Sequence, residues 1–395
     1  MKYDFDKIYE RKNSEKWMEL ERKFGSSDLI SFWEADMDFQ SAQPVIDALV
    51  ERAKEGIYGY PSKSPTYKEA VCGWYSSRHG LDIPHGWILH TPMVITAVAI
   101  YLRIVTEPGD GIILTTPMYY PFYDVIADTS RKTLKSSLKL RDGRYGLDFD
   151  DLEQKMKSGA KVMVLCNPHN PTGRVWTEDE LRRIGDMCMQ YGVKVIADEV
   201  HADFTWGENK YIPFSSLAEE YRKNCVTLLS PGKTFNLAGT KQAIVVIADE
   251  AVRKKFEKET EILDIDRNNC FSMVAAEAAY RYGGEWFEQV KAYIESNMDY
   301  AAEYFRTHAP EVRASKPEGT YLMWVDFREL GMTGEELNRF MVEKARVGCG
   351  EGMWFGPEGA GFERLTMACP RAILAEGLDR IAAAVRSLSA AARSL

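Results

Sequence analysis

Between residues 111 and 231 the chain returns four times to one pattern, a short apolar run without alternation that ends on polar residues. The runs are GIILTTP (111–117), KVMVLCNP (161–168), VKVIADE (193–199) and CVTLLSP (225–231). A strand with one wet face alternates apolar and polar side chains, so a strand without alternation is covered on both faces. Helical stretches lie between the runs. In TEDELRRIGDMCMQYG (177–192), Thr177 and Glu180 have capping-box spacing, Leu181, Ile184, Cys188 and Tyr191 share one face, and Gly192 can close the end. Buried strands alternating with helices predict a mostly parallel sheet between two helical layers, an α/β domain.

The C-terminal part reads differently. A long helix from about Glu285 to His308 carries Trp286, Val290, Tyr293, Asn297, Ala301 and Tyr304 at helical spacing. The strand TYLMWVDF (320–327), a helix capped by Thr333 and Glu336, the strand FERLTMA (362–368) and a closing helix follow. That order predicts a smaller α+β domain. The expected division is an N-terminal segment, 1–47, packing with the small domain, a large domain, 48–288, and the small domain, 289–395.

The 395 residues, 45% of them hydrophobic, suffice for two cores. A net charge of −9 without a basic stripe argues against a nucleic-acid partner. The charged start MKYDFDKIYERKN has no apolar signal region, and no run of about 18 apolar residues predicts a membrane span. Seven scattered cysteines without a C-x-x-C pair fit reduced thiols in the cytoplasm, and the six histidines have no metal-ligand spacing.

In an open α/β sheet, ligands bind beyond the carboxyl ends of the strands. Asn170 stands past the second run, Asp198 and Glu199 end the third, and Ser230 and Lys233 follow the fourth. Gly232-Lys233-Thr234 resembles the end of a P-loop, but the glycine that motif needs five positions earlier is Thr227, inside a strand. Converging amide, carboxylate, hydroxyl and amine groups suit pyridoxal phosphate. Its aldehyde takes a lysine, its ring nitrogen a carboxylate, its ring hydroxyl an amide such as Asn170, and its phosphate a helix N-terminus and a hydroxyl such as Ser230.

The strings NPHNPTG, ADEVH, SPGKTFN and RLTMACPR, in this order, resemble the fold-type I pyridoxal-phosphate enzymes, the class I/II aminotransferase superfamily. EADMDF, YGYPS, TPMYYPFY and NPTGRVW are closer to its MalY/PatB-like cystathionine β-lyase branch. The resemblance implies that Lys233 holds the cofactor covalently and shuttles the substrate Cα proton. It implies that Asp198 pairs with the ring nitrogen, that Asn170 and His201 lie near the ring hydroxyl, and that Tyr119 stacks on the ring, with Tyr120 and Tyr123 as rivals. The amides of Val94 and Ile95 and the Ser230 hydroxyl would hold the phosphate. Lys241 stands where many relatives carry a phosphate-binding arginine. Arg364 would receive the substrate carboxylate, assisted by Asn170 and by the backbone at Ala35. Tyr60 matches a tyrosine that reaches the phosphate from the neighbouring subunit, which implies a homodimer with shared sites. Met93, Gly232 and Lys241 depart from the usual pattern at the phosphate.

The branch implies a carbon–sulfur β-lyase that cleaves cystathionine or related S-substituted cysteines to a thiol, pyruvate and ammonia. The same residues would serve an aminotransferase, and a regulator that keeps the lyase fold is the third reading. Intact Lys233, Asp198 and Arg364 argue against a protein without activity.

Overall fold

The computed structural model describes residues 1–62 and 65–393. Its centre is a seven-stranded sheet in the spatial order 88–91, 243–247, 225–229, 194–198, 162–166, 111–116, 132–137. All neighbours are parallel except at Ala243–Ile247, which runs antiparallel to both of its neighbours. The four apolar runs form four adjacent strands of this sheet. The other three strands are Ile88–Thr91, Lys132–Ser137 and Ala243–Ile247.

Side-chain alternation divides the sheet between two cores. Ile113, Met163, Leu165, Val195 and Ala197 face the helices Phe149–Lys157 and Glu178–Tyr191, while Ile112, Leu114, Val164, Ile196 and Val226 face Val94–Val105 and Pro121–Asp128. The helix Glu178–Tyr191 has the full capping box of Thr177 and Glu180 and ends at Gly192 with φ 67°. Leu181, Ile184 and Cys188 are buried, and Tyr191 is half-buried.

C-terminal to this lies an antiparallel sheet of Leu322–Asp326, Phe362–Thr366 and Gly350–Glu351, covered by the helices Gly284–His308 and Arg371–Arg393. The N-terminal segment joins it through backbone. Ile30–Ser31 pairs in parallel with Val347–Gly348, and the Asp38 amide donates to the Ala368 carbonyl at 2.9 Å. The expected divisions at 47/48 and 288/289 fall inside the helices Gln43–Lys54 and Gly284–His308, each continuous across the boundary. Residues 63, 64, 394 and 395 of the expected domains lie outside the described residues. Among the described residues, no helix is long and apolar enough to cross a membrane.

Strand register levels the edge that matters. Cys166, Asp198 and Leu228 are successive Cα partners, and Thr91 and Leu229 are paired with Ala243 and Ile244. The carboxyl ends of four strands therefore open onto one rim, with the N-terminus of Val94–Val105 beside them.

Candidate active site

The rim encloses a cavity of ≈ 110 Å³ lined by Ala35, Val94, Ile95, Tyr119, Asn170, Asp198, His201, Ser230 and Lys233, among others. Nine residues expected at the site, from eight separate points in the chain, thus share one cavity. A larger cleft, ≈ 860 Å³, lies between the 139–146 hairpin and the small domain and contains none of them. Volume alone would have selected the wrong place.

Asp198 ends its strand 5% exposed. Its carboxylate accepts a long bond from the Val200 amide, 3.4 Å, and Cys166 Sγ lies 3.8 Å away. Burial pushes its carboxyl up to about 6, because a lone negative charge is costly in a dry site and Lys233 offsets only part of that. A protonated ring nitrogen would give this carboxylate a charged partner. Burial, and then the Arg364 charge, hold the Lys233 ammonium below its usual range, although the Glu34 carboxylate opposes them. A lowered lysine presents a larger share of free amine, the form that attacks an aldehyde. The His201 ring is buried, its Nδ1 has no partner, and burial holds its pKa well below the ordinary value.

Among the described residues, no side chain caps the helix Val94–Val105, and Val94 and Ile95 at its positive end line the cavity. These features fit pyridoxal phosphate: an uncompensated buried carboxylate, an amine of lowered basicity, an orphaned imidazole nitrogen and an uncapped helix start.

The small domain contributes Arg364, 3% exposed. Its guanidinium donates to Asn170 Oδ1 at 3.1 Å and to the Trp33 carbonyl at 2.6 Å, and it lies 4.8 Å over the Phe355 ring. Its Nε is buried without a partner among the described residues, and burial holds its pKa below the ordinary value. Both bonds go to neutral acceptors, so the fork retains charge and donor capacity for a carboxylate.

Sequence reasoning missed the strap that joins these groups. Residues 33–37 run past the cavity with carbonyls 33, 35 and 37 engaged. The Trp33 carbonyl takes Arg364. The Ala35 carbonyl takes Lys233 Nζ at 2.6 Å and the Tyr321 hydroxyl at 2.8 Å, and the Met37 carbonyl takes Asn236 Nδ2 at 3.0 Å. The Asp36 carbonyl between them takes Lys16 Nζ at 3.3 Å, so successive carbonyls of this bent segment are held from different sides.

A buried ion cluster pins the strap. Lys16, fully buried, donates to Asp38 Oδ2 at 2.7 Å, Arg11 bonds both Asp36 and Asp38, and the Trp33 indole donates to the Lys16 carbonyl at 3.0 Å. Burial alone would depress the Lys16 ammonium, but Asp38 and Asp36 outweigh it and hold it above the usual range.

Three of the expected residues have contacts of their own within the chain. The Ser230 hydroxyl lines the cavity but is engaged. It accepts from the Gly232 amide at 3.0 Å, capping a one-turn helix, and donates to the Gln242 carbonyl at 2.8 Å. Lys241 is exposed in a left-handed turn, φ 59°, and does not line the cavity. Tyr60 is 90% exposed, with the Arg267 guanidinium 5.6 Å over its ring. Of the three candidate stacking tyrosines, Tyr119 lines the cavity. Tyr123 donates to the Phe355 carbonyl at 2.9 Å, and Tyr120 packs on Trp354 and Phe355.

Residues 27–381 match the family described as aminotransferase class I and II. The cystathionine β-lyase PatB of Bacillus subtilis is 38% identical over 97% of this chain and 100% of its own length. The protein MalY of Escherichia coli is 33% identical over 98% of this chain and 100% of its own. The crystal structure of cystalysin from Treponema denticola, which contains pyridoxal 5'-phosphate, superposes with a TM-score of 0.95 at 34% identity, covering 98% of this chain and 100% of that one. With the strand-end geometry, these similarities establish that the chain belongs to the class I and II aminotransferase family of pyridoxal-phosphate enzymes, in the branch of PatB and MalY.

Proposed function

We propose that this chain is a pyridoxal-phosphate-dependent carbon–sulfur β-lyase that cleaves cystathionine or related S-substituted cysteines to a thiol, pyruvate and ammonia. The observation that carries the reading is the junction at Asn170 and the strap, which ties a carboxylate-binding Arg364 to Asn170 at the edge of the cavity that Lys233, an amine of lowered basicity, lines. Full-length similarity to a cystathionine β-lyase supports the lyase over the aminotransferase.

When bound, pyridoxal phosphate supplies an electron sink for the pair left on the substrate Cα after proton loss. The chain's own groups do the rest. Arg364 grips the substrate carboxylate, and Asn170 and the Trp33 carbonyl fix the plane of its fork. Asp198 would keep the ring nitrogen protonated, and Tyr119 would pack on the ring. Asn170 and His201 would attend the ring hydroxyl. Val94, Ile95 and Ser230 would take the phosphate, with Lys241 nearby in sequence. Lys233 accepts the Cα proton, and the Ala35 carbonyl, itself bonded by the Tyr321 hydroxyl, holds its amine in place. Expulsion of the thiol from Cβ and addition of one water then give thiol, pyruvate and ammonium.

The reading includes a cytoplasmic homodimer in which Tyr60 of one chain completes the phosphate site of the other. Exposed Ile57, Tyr58 and Tyr60 beside the cavity-bearing domain support a covered face there, and seven free cysteines, five of them buried, support a reducing compartment. It keeps the three-part division at 47/48 and 288/289, with both linking helices continuous. The test is incubation with cystathionine and no keto acid, with assays for pyruvate and free thiol. Sustained turnover is expected. Product that forms only with an added keto acid would replace the lyase with an aminotransferase.

A further inference from the structure

Helix Leu20–Phe24 ends at Gly25, φ 73°. Its Lys23 projects into a cage of rings. The ammonium lies 4.1 Å from the Trp354 ring, 5.3 Å from Trp33 and 5.8 Å from Tyr120. Trp354 stands edge-on to both other rings, with centroids 6.4 Å from Trp33 and 6.0 Å from Tyr120. Phe24 closes the base at 6.2 Å from Trp33 and 6.1 Å from Trp354. The carboxylates whose fields it shares are Glu15 and Glu351.

Each wall of this cage is bound to, or adjacent to, a group of the substrate site. Trp33 offers its own carbonyl to Arg364. Trp354 precedes Phe355, whose ring lies under the Arg364 guanidinium and whose carbonyl is held by the Met118 amide at 2.8 Å. Tyr120 follows Tyr119, which lines the cavity. The three walls come from the N-terminal segment, the small domain and the large domain. An ammonium attracted to all three ring faces draws those parts together at the mouth of the site.

We propose that Lys23 is a positioning residue: its ammonium, seated among Trp33, Tyr120 and Trp354, holds the three chain segments in the register that aims Arg364 at the substrate carboxylate. The proposal rests on the reading of Arg364 as the carboxylate ligand, and its readout is amino-acid binding, which lyase and aminotransferase share.

The test uses holoenzyme of wild type, Lys23→Met, Lys23→Gln and Lys23→Arg, each checked for cofactor absorbance and melting temperature. L-alanine, an amino acid without a leaving group, is titrated against the cofactor absorbance. KM and kcat are then measured with cystathionine. Loss of the cation should weaken alanine binding about threefold to tenfold and raise KM alike, with kcat within about twofold. Lys23→Arg should restore wild-type affinity, because a guanidinium also stacks on rings. The Gln variant carries the same expectation as Met should the latter fold poorly. Wild-type alanine affinity in the charge-free variants, or equal loss in Lys23→Arg, would overturn the proposal. Failure of cystathionine turnover in every form, with the alanine pattern intact, would overturn the lyase reading and leave this one supported.

Discussion

Arg364→Ala separates what the guanidinium does for substrate from what it does for the fold. In the free protein its two bonds run to the Trp33 carbonyl and Asn170 Oδ1, both neutral acceptors, and its Nε has no partner. A substrate carboxylate adds charge-assisted bonds worth about 1.5–3 kcal/mol each. Water entering the truncated site recovers part of that, so the net loss in binding is about 2–4 kcal/mol. At 1.4 kcal/mol per factor of ten, amino-acid affinity should fall roughly thirtyfold to a thousandfold. The bonds to these two acceptors are lost in free and bound states alike, so their loss cancels from binding and lowers the melting temperature instead. Cofactor absorbance should survive, since Arg364 does not line the cofactor cavity. The assay is titration with a non-reacting amino acid, followed by the cofactor spectrum, beside a melting curve. Unchanged amino-acid affinity with a lost cofactor would place Arg364 in the phosphate site and refute the reasoning.

Asp198 gives a pH signature to the cofactor-free protein. Its carboxyl moves from an ordinary 3.8 to about 6 on folding, so between those values the folded chain holds a proton that the unfolded chain releases. Stability should therefore fall as pH rises through that window, by about 3 kcal/mol, and Asp198→Asn should lose this component in urea unfolding at pH 4 and 6.5. Equal pH slopes in the two proteins would show that Asp198 does not carry it. Lys233→Ala should abolish turnover, and borohydride should fix the cofactor of the wild type to a peptide containing Lys233. Label on another lysine would displace the assignment. Tyr60→Phe and Lys233→Ala chains should each be impaired alone and recover part of the activity when refolded together, because one site of the mixed dimer has both groups intact. Verified mixed dimers without recovery, from an impaired Tyr60→Phe parent, would put Tyr60 in its own subunit's site.

The rim was legible because each strand announces itself as an unbroken apolar run, and the polar residue that ends the run has nowhere to go but the carboxyl edge. Asp198 and Lys233 were found that way. The strand Ala243–Ile247 is as apolar as the others, yet its reversed direction is set by the neighbours it pairs with and leaves no local mark. Trp33 and Tyr321 were not legible either. One acts through a carbonyl, which has no sequence identity, and the other through a hydroxyl whose acceptor lies 286 residues away. Ser230 was expected to serve the phosphate alone, whereas its oxygen also caps the turn that presents Lys233.

The strap has a consequence for how this protein tolerates change. The acceptors it offers Arg364 and Lys233 are backbone oxygens, and every amino acid that can stand at 33 or 35 brings the same oxygen with it. A scan that exchanges side chains one at a time would pass over both contacts and report only the packing of the Trp33 indole or the Ala35 methyl. Replacing the amide that carries the acceptor with an ester, whose carbonyl accepts more weakly, would expose them. Until the main chain itself is edited, two of the contacts that order the site can be inherited unchanged through extensive divergence of the residues that supply them.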